Sequence, residues 1–180
     1  MARASDARGV EHAGKEWGLT WCIVSLWFLW RAQSNSGKTA AMFAASGGHV
    51  DVLKAMQRGP SLLNLQSADG GTPAMSAAAH GFADVLQFII DKKCDLDKQD
   101  EDGWTALMYA VCSHNVENVK RLVNAGAKVD IKNNDGETAA QLAGGKNKDE
   151  ILRVLKMKAG SMKSIPEAGA GGKKKGCVIM

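Results

Sequence analysis

Gly70-Gly71-Thr72-Pro73 decides how this chain is read, because the same tetrad returns at a fixed distance on either side. Gly37-Lys38-Thr39-Ala40, Gly103-Trp104-Thr105-Ala106 and Gly136-Glu137-Thr138-Ala139 share its register, each 33 residues from the next. Ala44, Ala77, Ala110 and Ala143 keep that spacing, and so do Leu53, Leu86, Val119 and Leu152. Self-similarity at one fixed period marks an array of a single supersecondary unit. One such unit cannot bury its own apolar side, so stability has to come from stacking on its neighbours.

The residues of the unit say what it is made of. Thr39, Thr72, Thr105 and Thr138 stand where a side-chain oxygen caps a helix and satisfies an orphan amide, and Pro73 suits a first helical turn. Small residues such as Ala77-Ala78-Ala79 let that first helix pack closely. A second helix carries the bulk: Val50, Val52, Leu53 and Met56; Val85, Leu86, Phe88, Ile89 and Ile90; Val116, Val119, Leu122 and Val123. Gly126 sits where the chain leaves the second helix and takes a left-handed conformation at little cost. The Asp-Gly steps at 69–71, 102–103 and 135–136 read as turns between units. Three departures stand out. Arg58-Gly59-Pro60-Ser61-Leu62 replaces a Gly-Ala turn in the first unit, and His114-Asn115 replaces Gly-His in the third. Gly144-Gly145 falls inside the expected first helix of the fourth, each Gly costing about 1 kcal/mol against Ala.

The period, the G-x-T-P tetrad, the Ala-rich helix, Gly48-His49 and Gly126-Ala127-Lys128-Val129-Asp130 together resemble the ankyrin repeat. The resemblance covers about 34–158 and implies an all-α solenoid of four helix-turn-helix repeats with short β-hairpin fingers: 34–66, 67–99, 100–132 and 133–158. It also implies a module that binds protein partners through the fingers and the inner face of the first helices. Carried over by register, the partner-binding positions are Asp69, Gly71, His80, Glu101, Asp102, Trp104, Ser113, Asn134, Asp135 and Glu137, with Asn35, Ser36, Lys38, Ala79, Cys112 and Lys146 in the same columns. Acids outnumber bases in this set, which points to a basic or amphipathic partner. Trp104 stands out, since the other repeats carry Lys38, Gly71 and Glu137 there and the scaffold asks for no large apolar side chain. It is expected at an exposed finger tip.

The chain of 180 residues is 23% charged and 45% hydrophobic, ordinary for one globular domain with tails. Its formal charge of +4 is uneven: from Lys156 onward six lysines face a single acid, Glu167, so the body is close to neutral. A basic tail beside a neutral body speaks for a membrane-facing end and against a nucleic-acid-binding body. Cys22, Cys94, Cys112 and Cys177 show no CxxC and no metal-ligand spacing, so reduced thiols are the simplest expectation.

The chain ends Cys177-Val178-Ile179-Met180 behind Lys173-Lys174-Lys175. A cysteine fourth from the end, two aliphatic residues and a terminal Met form the C-a-a-X box that a farnesyltransferase reads. One lipid chain holds a protein only marginally and needs a second signal such as a polybasic run. Each Lys near an anionic leaflet adds about 1 kcal/mol. The tail resembles those of lipid-anchored Ras-type GTPases, although nothing upstream resembles a GTPase. Residues 159–176, rich in Gly and Ala, read as a tether and 177–180 as the box.

Two further stretches need an account. Residues 32–39, Ala-Gln-Ser-Asn-Ser-Gly-Lys-Thr, satisfy a permissive phosphate-binding pattern, but Ala32 stands where the motif wants Gly, and Gly37 and Thr39 already belong to the repeat. Within 1–33, the run from Trp17 to Trp30 holds four of the five tryptophans and is too short for a span, which needs about 20 residues. A degenerate capping repeat, an interfacial anchor, an unspliced intron and a signal sequence all fit it. The four histidines fall singly, and no nucleophile–base arrangement can be read from spacing. The expectation is therefore a non-enzyme without cofactor or metal. It would be a protein-binding scaffold held by a farnesylated basic tail at the cytoplasmic face of a membrane, foremost the plasma membrane. Its partners would be an unidentified protein, the prenyltransferase machinery and an anionic surface, not nucleic acid. The alternative is a soluble targeting or inhibitory subunit that recruits an enzyme, its tail unmodified.

Overall fold

The computed structural model describes residues 33–56, 60–145 and 147–159. Within them, eight α-helices follow one another in pairs: α1 (Ala40–Ser46) and α2 (Val50–Ala55), α3 (Pro73–His80) and α4 (Ala83–Asp91), α5 (Ala106–Cys112) and α6 (Val116–Ala125), α7 (Ala139–Leu142) and α8 (Lys148–Ala159). Each pair packs on itself and on the next pair. The first helices α1, α3, α5 and α7 stack into one layer, and α2, α4, α6 and α8 into the other. This is the all-α stack of four repeats that the 33-residue period implies. The fingers are tight hairpin turns rather than strands, with isolated bridges at Gln33–Thr39 and Lys132–Thr138.

The first helices start as their sequence says. Thr39, Thr72 and Thr105 hold extended backbone at the N-cap, and their hydroxyls accept from the amides of Met42, Met75 and Met108 at 3.3–3.4 Å. Pro73 opens α3 as foreseen. Thr138 also precedes its helix, yet both its amide and its hydroxyl donate to the side-chain oxygen of Gln141, at 2.8 and 3.2 Å. Gly144 and Gly145 are not inside a helix after all: α7 stops at Leu142 after four residues, and Gly145 turns left-handed at φ +73°. The chain leaves the helix rather than carry two glycines within it.

The core lies between the layers. Ala45, Ala77, Ala78 and Ala110 are buried and keep the first helices close, while Leu53, Leu86, Ile89, Val119 and Leu122 fill the space beneath. Burying a Leu or Ile side chain contributes roughly 1.5–3 kcal/mol. The stack's ends show in the neighbouring columns. Val52, expected inside, is 47% exposed in the first repeat, whereas Val85 in the same column is buried. In the fourth repeat Ile151 and Leu155 are buried and Leu152 only half so. Gly126 caps α6 in the left-handed conformation at φ +105°, its amide donating to Leu122 and Val123 carbonyls. Lys93 holds the equivalent turn of the second repeat at φ +55°, and His114 does the same at the turn between α5 and α6. The first repeat, with Pro60 there, uses a 3-10 turn at Pro60–Asn64. Cys94 is a buried free thiol.

Candidate functional site

Every finger is the same five-residue hairpin, closed by Ser34–Lys38, Ser67–Gly71, Asp100–Trp104 and Asn133–Glu137, the first amide of each donating to the last carbonyl at 2.9–3.1 Å. The fourth residue is always glycine, Gly37, Gly70, Gly103 and Gly136, at φ +69° to +78°. Conformation is only half of that requirement. A methyl on Gly37, Gly70 or Gly103 would lie 2.4–2.8 Å from the next finger, against Ala68 N, Asp100 Cα and Asn134 Oδ1. Gly136, in the last described finger, would meet nothing within 4 Å. The phosphate-binding look-alike around Gly37-Lys38-Thr39 is thus a finger running into a helix cap.

The fingers are cross-bonded into one row. Ala68, Glu101 and Asn134 amides donate to the carbonyls of Ser36, Asp69 and Asp102 at 3.0–3.2 Å. Gln66 Nε2 reaches Gly70 O at 2.9 Å and Gln99 O at 3.1 Å, and Gln99 Nε2 reaches Gly103 O at 2.7 Å and Lys132 O at 2.9 Å. Asn134 Nδ2 adds a bond to Glu101 O at 2.7 Å. With their backbone groups engaged, the tips present Asp69, Glu101, Asp102, Asn134 and Asp135 to solvent, with Glu137 exposed beyond them. The Ser67 hydroxyl donates to the Asp69 carboxylate and holds it below the usual carboxylate range. Asp69 therefore stays negative at neutral pH.

Trp104 is not at a tip. It lies at the base of its finger, half-buried, with its ring 5.3 Å from that of Tyr109 and tilted by 52°. Tyr109 Oη donates to Asp100 Oδ2 at 2.6 Å, and Asp100 Oδ1 accepts from the Trp104 amide at 2.7 Å. Burial, then the Asp100 bond, push the Tyr109 hydroxyl well above its usual range. Finger, indole and phenol are one unit. Tyr109 went unremarked in the sequence reading, although its column is variable: Phe43, Ser76, Tyr109 and Leu142. Phe43 is 55% exposed, so this column sets apolar surface on the first-helix layer beside the acidic tips.

The other carried-over positions divide. His80 is exposed at the end of α3, its ring stacked on Phe82 at 6.3 Å and its Nδ1 2.9 Å from Ser76 O. The Ser113 hydroxyl is spent on the scaffold, within 3.0 Å of both Ala78 and Ala110 carbonyls. Gly71 adds no side chain to the row, and a methyl there would lie 2.9 Å from Ser67 Oγ. Cys177, Lys173, Lys174, Lys175 and Lys146, with the Trp-rich segment, lie outside the described residues. Among the described residues no group of His, Cys, Asp or Glu could hold a metal ion, and no helix is long and apolar enough to cross a membrane.

A search of the curated proteins found no match. The family model described as "Ankyrin repeats (3 copies)" matches residues 20–100, 55–133 and 77–165, which together span most of the sequence. That family's repeats are typically non-catalytic interaction modules. The stacked helix pairs and their cross-bonded fingers agree with the match, and the chain belongs to the ankyrin-repeat family, a protein–protein interaction domain.

Proposed function

We propose that the chain is a non-catalytic scaffold that grips a basic or amphipathic protein segment and is held at the cytoplasmic face of an anionic membrane by a farnesylated Cys177. The observation that carries the binding reading is the finger row. Asp69, Glu101, Asp102, Asp135 and Glu137 stand exposed on a frame already stiffened by bonds between fingers, with Phe43, Trp104 and Tyr109 beside them. Preorganised acidic tips next to apolar surface lower the ordering cost of binding a partner with the opposite pattern. Anchoring rests on the terminal Cys177-Val178-Ile179-Met180 and Lys173-Lys174-Lys175. The family match begins at residue 20, which favours a capping repeat for part of the amino-terminal segment.

Non-reducing peptide mapping of the native protein tests both halves of the anchor. A prenylated, trimmed C-terminal peptide is expected, and Cys177→Ser should move the protein from membranes to cytosol. An unmodified tail would favour the soluble recruiting subunit.

A further inference from the structure

We infer that the outward face of α8, the last helix before the tail, is a second contact with an anionic bilayer, so that the solenoid stands on the membrane with a set orientation. The inference rests on the anchoring proposed above and deepens it. Met157 is the most exposed large apolar side chain among the described residues, at 83%. It is flanked by Lys156 and Lys158, and Arg153 stands one turn earlier on the same face; Arg153 and Lys156 are exposed. Lys158 Nζ also reaches the Val123 carbonyl at 2.6 Å, which places its charge at the end of α6. The opposite side of the helix, Ile151 and Leu155, is buried in the stack, so burial in the protein does not explain Met157.

The charge on α8 is graded along its length. Its acids, Asp149 and Glu150, lie in the first turn, and Glu150 is taken up by Lys120 at 2.8 Å. Lys148 opens the helix beside them, and the other bases follow the acids, Arg153 at mid-helix and Lys156 and Lys158 in the last turn, from which the tail departs. An apolar side chain between cations is the pattern of a helix that rests in the headgroup layer. The 17 residues between Ala159 and Cys177 are Gly-rich by composition, and a flexible linker of that length has a mean reach of roughly 21–25 Å. A tether that short raises the effective concentration of α8 at the bilayer to about the millimolar range. Contacts too weak to bind alone then act. A bilayer is favoured over a protein partner for this face because the same chain end carries Lys173, Lys174, Lys175 and the lipid signal.

Two arms separate this inference from the anchoring. In the first, the full chain with residues 177–180 replaced by a His tag is held on nickel-chelating vesicles of phosphatidylcholine, with or without phosphatidylserine. Hydroxyl-radical oxidation of Met157 is then read by mass spectrometry. Oxidation should slow several-fold only when phosphatidylserine is present, and Arg153→Gln with Lys156→Gln should restore it. Equal oxidation on both vesicles, with the protein bound, overturns the inference. In the second arm, farnesylated protein carrying the same pair should bind phosphatidylserine vesicles about 30-fold more weakly, from two basic contacts. Unchanged binding, with matched melting curves, also overturns it. A native chain that fails to bind while the tagged chain still protects Met157 would remove the anchoring and leave this face standing.

Discussion

Asn118→Val should stabilise the protein. Asn118 lies in α6 and is 0% exposed, yet neither its Nδ2 nor its Oδ1 meets a hydrogen-bond partner among the described residues. The same register position carries Val85 and Ile151, also at 0% exposure, so the stack is built to take a branched apolar side chain there. A buried amide without partners costs about 1–3 kcal/mol. Asn and Val have similar helix propensities, so the backbone contributes little either way. The helix cap is untouched, because Asn115 Oδ1 accepts from the backbone amide of residue 118 at 3.0 Å. A gain of about 1–3 kcal/mol is therefore expected, or roughly 3–10 °C in melting temperature for a domain of this size. Urea and thermal unfolding followed by far-UV circular dichroism would read it. Asn118→Asp is the companion variant and should be strongly destabilising, since it buries an unpaired charge. A Val variant less stable than the parent would refute the reasoning and show that the amide is satisfied, for example through a buried water that valine cannot hold.

Gly103→Ala and Gly136→Ala separate conformation from contact. Both lose the left-handed backbone, worth about 1–2 kcal/mol, but only the first drives a methyl to 2.8 Å from the Asn134 side chain and 2.9 Å from its amide. Urea midpoints should show Gly103→Ala the worse of the two, and equal losses would mean that the fingers move independently. Leu86→Ala, at a position that is 0% exposed, should cost about 2–5 kcal/mol; an unchanged melt would displace Leu86 from the core. Trp104→Ala should weaken a recovered partner about thirtyfold if the indole anchors it, on the order of 2 kcal/mol. Tyr109→Phe, which frees Asp100 while keeping the ring, tests whether the finger must be held in place. Affinities within twofold of the parent for both variants would assign the pair to the scaffold. Asp69 has a lowered folded-state pKa, so its bond to Ser67 supports the fold at neutral pH and is lost as pH falls through that value. Acid titrations of the parent and Ser67→Ala should therefore differ above about pH 4, the ordinary carboxylate range, and converge below it; a constant gap would point elsewhere.

The sequence by itself determined the unit and its number. A capping Thr, a helix of alanines, an apolar second helix and a glycine at the turn each solve a problem local to one repeat, so each leaves its mark at a period of 33. Thr72, Pro73, Leu86, Ile89 and Gly126 could be placed from that pattern alone, and the C-a-a-X reading of the tail rests on a linear motif that needs no fold. What only the tertiary structure decided lies between repeats or at the ends of the stack. Gln33, Gln66 and Gln99 also recur every 33 residues, a column with no evident role until each side chain is seen to reach a carbonyl 33 residues on. Trp104 reads as a lone exposed indole until Tyr109 and Asp100 are seen beneath it. Val52 and Val85 occupy one column, yet one is open and the other buried, because a column's meaning depends on what stacks against it. Asn118 looks like an ordinary polar helix residue and is fully enclosed for the same reason. Periodic sequence encodes what every repeat has in common. Stacking, which ends at a first and a last repeat, decides how far each one differs.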